Sequence, residues 1–97
     1  YIKPYIAHNG VRVSTGIRYH RITGKTEYKD VYNLQWAHDS VNKHSGHFFD
    51  CRCQQIDYLS QHTKNPPIIL CPYDAELYGH WWYEGPDWLY SLFKKIY

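Results

Sequence analysis

Pro66 and Pro67 stand side by side after Asn65, and this pair constrains the chain more than any other feature. Proline has no amide hydrogen and clashes with the preceding helical turn, and it drives the residue before it out of the helical region. No helix can run through that point. Upstream lies the longest helix-compatible stretch, residues 31–60. Leu34, Val41 and Phe48 recur there every seven residues, with Ala37, His44 and Cys51 at complementary positions. Together they form one apolar-to-neutral helical face. Gly46 falls inside the run, at a cost of roughly 1 kcal/mol relative to alanine. The helix is expected to stop near Gln61, and Asp30 is placed to cap its start.

Downstream of the prolines, Ile68-Ile69-Leu70-Cys71 is short and apolar without alternation. That pattern suits a parallel strand buried on both faces. Residues 74–86 then read as a loop. Pro86 or Asp87 opens a final helix with Trp88, Leu89, Leu92, Phe93 and Ile96 on its apolar face. Ahead of the long helix, Asn9-Gly10 signals a turn, and Val11, Val13, Ile17 and Tyr19 alternate in part. Strand or extended structure is expected over 11–22, followed by a polar loop over 23–30. The fold class is therefore α/β. The order helix, strand, loop, helix is that of one α/β-barrel unit, in which functional groups gather at the C-terminal ends of strands.

Composition narrows the function. Ninety-seven residues suit one domain with a thin core, and 43% hydrophobic with 21% charged residues argues against disorder. The eleven tyrosines suit half-buried surfaces and binding grooves. Methionine is absent, initiator included, which fits an excised or processed piece of a longer chain. A net charge of +2 with no Lys/Arg run gives no electrostatic footprint for nucleic acid. No apolar stretch approaches the ~18 residues of a membrane span, and no signal-peptide pattern is present. Cys51, Cys53 and Cys71 are odd in number, so they cannot form a complete disulfide framework. Three reduced thiols favour a cytoplasmic setting. His44 and His47 share adjacent turns of the helix, but no third ligand accompanies them, and packing or surface polarity is the simpler role. No metal or organic cofactor is expected. No serine elbow or phosphate-binding loop occurs.

The chemistry concentrates in residues 71–86, where Asp74, Glu76 and Glu84 lie among His80, Tyr73, Tyr78, Trp81, Trp82 and Tyr83. Carboxylates move protons and stabilise cationic transition states, and flat rings stack on the apolar faces of sugars. Asp74 follows the apolar run, where a barrel strand would meet its loop. It is the leading catalytic candidate; turn formation or backbone capping is its structural alternative. Glu76 would point the same way as Asp74 if the backbone stayed extended. Neighbouring carboxylates on one strand cannot flank a sugar from opposite sides, so the two are not assigned as a nucleophile and acid pair. Glu84 before Gly85-Pro86 suits the start of the last helix. Of two consecutive tryptophans only one can face a core layer, which leaves the other for a groove. Lys94 and Lys95 suit the negative end of the last helix.

The run Pro72-Tyr73-Asp74-Ala75-Glu76-Leu77-Tyr78-Gly79-His80-Trp81-Trp82-Tyr83-Glu84-Gly85-Pro86 resembles a signature region of glycoside hydrolase family 57, with the closest likeness to its branching-enzyme subgroup. The segment Thr15-Gly16-Ile17-Arg18-Tyr19-His20-Arg21-Ile22-Thr23-Gly24 looks like the text that precedes that region. Ala37, His44, Ser45, Gly46, His47 and Phe48 look like part of the intervening helix. The resemblance implies a retaining mechanism on α-1,4-glucans such as amylose, glycogen or maltooligosaccharides. It also implies an irregular (β/α)7 barrel, of which residues 1–97 form the C-terminal portion of the catalytic domain. Asp74 matches the general acid/base. Glu76, His80, Trp81 and Trp82 match neighbouring substrate-binding positions. The family's nucleophile is a glutamate on an earlier strand, and no matching motif occurs here; Glu27 sits in a polar loop. The resemblance thus implies that the isolated residues lack half of the catalytic pair and need the remainder of the barrel as a partner. Amylase, 4-α-glucanotransferase and branching members share the aspartate, and a non-catalytic glucan-binding fragment is the rival reading.

Overall fold

A computed structural model describes residues 7–13 and 20–97. The chain divides into two units, Tyr1–Asn33 and Leu34–Tyr97. The first contains an antiparallel hairpin of β1 (Ala7–His8) and β2 (Val11–Arg12). Asn9 and Gly10 both adopt positive φ, at 50° and 77°. A type I′ turn requires that at both central positions, and Asn-Gly tolerates it better than other pairs. Among the described residues, the strand expected over 11–22 is seen at Val11–Arg12 and as an isolated bridge from His20 to Val31. Residues 14–19, with part of the family-like segment 15–24, lie outside the described residues.

Asp30 does not cap the long helix. Its Oδ1 accepts the Val31 amide at 2.9 Å and its Oδ2 accepts Arg21 Nε at 2.9 Å, while its carbonyl accepts the Arg21 amide at 3.0 Å. These bonds close the neck of the polar 23–30 loop. The Arg21 guanidinium holds the Asp30 carboxyl below its ordinary range. The helix begins at Leu34, beyond the position the sequence suggested.

The second unit is built on α1 (Leu34–His62) and α2 (Gly85–Ile96). α1 runs unbroken through Gly46 and ends before the prolines, as the sequence predicts. Near its end Ser60 Oγ donates back to the Ile56 carbonyl at 2.8 Å, and Thr63 Oγ1 donates to the Leu59 carbonyl, one of the last four, at 2.9 Å. The second bond satisfies an acceptor that a helix end otherwise leaves open. α2 has Pro86 in its first turn, Asp87 near its positive end and Lys94 and Lys95 near its negative end. All three choices agree with proline's fixed φ and the helix dipole.

The two helices meet through a small core of Val41, Trp88 and Leu92, with Phe48, Phe49 and Leu89 packed against it. Val41 and Phe48 carry out the packing expected of the seven-residue repeat, whereas Leu34 is exposed. A polar contact lies beside this core. Ser45, fully buried on α1, sits 2.8 Å from Ser91 Oγ on α2. Ser91 donates to Asn42 Oδ1 at 3.0 Å, and Ser45 contacts the Asn42 carbonyl at 3.1 Å. Two hydroxyl protons serve these three contacts, so the protons are shared within the cluster. Small side chains at this crossing let the helices approach while leaving no buried hydroxyl unpaired.

The buried strand expected at 68–71 is not formed. Residues 68–71 pair with no strand among the described residues, and Ile68 and Leu70 are 84% and 85% exposed. A strand buried on both faces needs neighbours on both edges. The described residues supply only the short hairpin of the other unit. Phe93 and Ile96 on α2 are also exposed, so much of its expected apolar face is uncovered within this unit.

Candidate functional site

The loop between the proline pair and α2 presents every site residue singled out from the sequence. Asp74 has extended backbone, and its carbonyl accepts the Leu77 amide at 3.0 Å, starting a 3₁₀ turn over Ala75–Leu77. Its side chain makes no cap hydrogen bond, and the residue is exposed. Turn formation or backbone capping was the structural alternative for this aspartate: its main chain does open the turn, while its carboxylate caps nothing. The 3₁₀ turn also removes the extended geometry under which Asp74 and Glu76 would point the same way.

Beyond the turn the main chain is tied together. The Trp82 amide donates to the Leu77 carbonyl at 2.9 Å, and the Gly79 amide donates to the Trp82 carbonyl at 2.9 Å. The Gly85 amide donates to the same Trp82 carbonyl at 3.0 Å, which joins the loop to the first residue of α2. Gly79 sits at a φ of 105°, where a Cβ would be strained. A side chain at Gly85 has no room: its Cβ would lie 2.8 Å from Tyr78 Cα and 3.1 Å from the Tyr78 ring. Overpacking of this kind typically costs about 1–3 kcal/mol, because backbone rather than a flexible tip must move. Gly85→Ala is therefore expected to loosen residues 78–85. A lowered melting temperature and altered tryptophan fluorescence would register the change, and an unaltered melt and spectrum would contradict the packing described.

The consecutive tryptophans divide between the two sides of the loop. Trp82 is half-buried, 5.8 Å from Trp88 and 6.2 Å from Tyr78 between ring centroids. Tyr78 stacks on Trp88 at 6.4 Å and 19°, while Phe48 meets Trp88 edge-on at 5.2 Å. Burial, with smaller contributions from Tyr73 and Cys71, pushes the Tyr78 phenol above its ordinary pKa. Trp81 faces outward and is 67% exposed. Its indole Nε1 donates to Glu76 Oε1 at 3.4 Å, its amide donates to the Glu76 carbonyl at 3.4 Å, and the His80 ring stands edge-on to it at 5.2 Å. The structure thus brings Glu76, His80 and Trp81 together and turns Trp82 toward the packed side.

A cleft of ≈ 280 Å³ beside the loop is lined by Phe48, Cys71, Tyr73, Tyr78, Trp88 and Leu89, together with Leu92. Tyr73 of this lining immediately precedes Asp74 in the chain, and Asp74 itself does not line the cleft. Sequence reasoning did not single out Tyr78 or Gly85. The Gly85-Pro86 pair announces a turn but not that Tyr78 packs on it. Among the described residues no three potential ligands group to hold a metal, and His44 and His47 find no third partner.

Compared with curated proteins, the chain is 33% identical over 85 residues to a probable 1,4-alpha-glucan branching enzyme of Mycobacterium tuberculosis, found alike in two strains. It is 34% identical over 86 residues to a 1,4-alpha-glucan branching enzyme of Thermococcus kodakarensis. These alignments cover 84% and 86% of the chain, and the chain spans only 16% and 13% of the length of those relatives. No family model matches the sequence, and no solved structure matches it. No helix among the described residues is long and apolar enough to cross a membrane.

Proposed function

We propose that this chain is part of a retaining enzyme of the glycoside hydrolase family 57 type that performs 1,4-α-glucan branching. Such an enzyme cleaves an α-1,4 linkage and forms an α-1,6 linkage. The observation that carries the reading is the similarity, across 84% of the chain, to proteins named as 1,4-alpha-glucan branching enzymes. The loop adds chemical support: an exposed carboxylate with no capping duty, close in sequence to an outward tryptophan on a fixed turn.

In this reading Asp74 is the general acid/base. It protonates the departing glycosidic oxygen and later takes the proton of the acceptor 6-hydroxyl. Glu76, His80, Trp81 and Trp82 form the substrate-facing neighbourhood. The nucleophile, a glutamate, comes from outside these residues, so the 97 residues alone are inactive. The partner is the remainder of an irregular (β/α)7 barrel. Exposed Ile68, Leu70, Phe93 and Ile96 suit burial against its strands and helices. The reaction uses no metal or organic cofactor and takes place in the cytoplasm.

The test is product analysis after the full-length protein carrying these residues has acted on linear amylose. Branching yields new α-1,6 linkages with little rise in reducing ends. Hydrolysis yields reducing ends without new α-1,6 linkages, and disproportionation yields a ladder of linear maltooligosaccharides. Either of the last two outcomes would replace branching with amylase or 4-α-glucanotransferase activity.

A further inference from the structure

We infer that Trp81 is a sugar-stacking platform and that Glu76 is its positioning residue, while Trp82 serves as the inward anchor of the same loop. The inference rests on the α-glucan reading and divides the labour among residues that the resemblance treats alike. A single exposed aromatic ring is ordinary on a protein surface and carries no argument by itself. Trp81 differs because its surroundings fix it. Its main chain is held by the Glu76 carbonyl on one side, and the next residue is held by the Leu77 carbonyl and by packing on Tyr78 and Trp88. Its indole N–H points to the Glu76 carboxylate at 3.4 Å, and the His80 ring stands perpendicular to it with the centroids 5.2 Å apart.

At 3.4 Å the Glu76 contact is longer than an ordinary N–H···O bond, so it adds a weak restraint on the ring to those of the main chain. A ring held in one orientation before the ligand arrives loses less conformational freedom on binding. This arrangement leaves Glu76 acting through Trp81 rather than on the reacting bond. Asp74 then remains the proton-transfer candidate of the Asp74–Glu76 pair.

The experiment compares steady-state kinetics of the full-length protein on maltoheptaose and amylose with those of single and double variants. Trp81→Ala is expected to raise KM about tenfold with kcat nearly unchanged, a factor that corresponds to about 1.4 kcal/mol. Trp81→Phe keeps a ring and most of the affinity. Glu76→Ala raises KM in the same direction by a smaller factor, and Glu76→Gln restores it because an amide oxygen still accepts the indole proton. In the Trp81→Phe background, Glu76→Ala has no further effect, because phenylalanine has no N–H to hold. Melting curves verify that the variants fold.

Unchanged KM in Trp81→Ala, or a collapse of kcat in both Glu76 variants, would overturn the inference while leaving the glucan reading intact. An unsubstituted protein that neither turns over nor binds maltoheptaose would overturn both.

Discussion

Asp74→Asn in the full-length protein is expected to abolish transfer while glucan binding survives. The substitution changes little volume and removes the group that can give and take a proton. General acid–base groups typically contribute 10²–10⁴-fold in rate, so kcat should fall by about that range. The backbone duty of Asp74, accepting the Leu77 amide, does not depend on its side chain, and the carboxylate caps nothing. The loop should therefore keep its shape, and maltoheptaose affinity measured by calorimetry should stay within about twofold. A parallel loss of affinity would mean that Asp74 holds the loop or the sugar. Near-normal turnover would remove it from the chemistry altogether.

Trp88→Ala should produce the largest structural effect in the chain. Trp88 is 7% exposed and touches both sides of the design: Phe48 from α1, and Tyr78 and Trp82 from the loop. Truncating a buried tryptophan typically costs about 3–5 kcal/mol, through lost transfer energy and the cavity left behind. Here the buried hydrophobic core of the unit comprises Val41, Trp88 and Leu92, which gives the cavity few neighbours able to close it. Hydrogen exchange is the direct readout. Amides of Gly85–Ile96 and of residues 77–85 should lose protection together, because the loop rests on the same ring. Unchanged protection in the loop would show that Trp88 does not support it.

The link between these two predictions is that the site's precision comes from packing beneath it. Asp74 lies on the loop and Trp88 lies under it, and Tyr78, Trp82 and Gly85 join them. A loop carrying catalytic groups on a rigid support is a common division of labour.

Local signals in the sequence were strong where one residue type has few conformational choices. Pro66-Pro67 ends the long helix, Asn9-Gly10 makes the hairpin turn, and Pro86 sits in the first turn of α2. Periodicity identified Val41 and Phe48 but also put Leu34 and His44 on the same face, and both are exposed. The polar crossing of Asn42, Ser45 and Ser91 was invisible to hydrophobic pattern, since buried hydroxyls reveal themselves only through their partners. Ile68-Ile69-Leu70-Cys71 failed as a strand for a different reason. Its composition specifies burial between strands, and burial needs strands from elsewhere. In the loop, residue types pointed to the candidate site, but which tryptophan turns outward depended on the 3₁₀ turn and the Gly79 and Gly85 backbone.

The role of Asp74 is tested most directly by a substrate whose leaving group needs no proton. The full-length Asp74→Asn variant would be given α-maltosyl fluoride and, separately, amylose. An acid/base role predicts a burst of about one fluoride per enzyme molecule, with transfer from amylose lost, because fluoride departs unprotonated. Loss of both activities in a folded variant that still binds maltoheptaose would contradict the account and assign Asp74 to a step other than proton transfer.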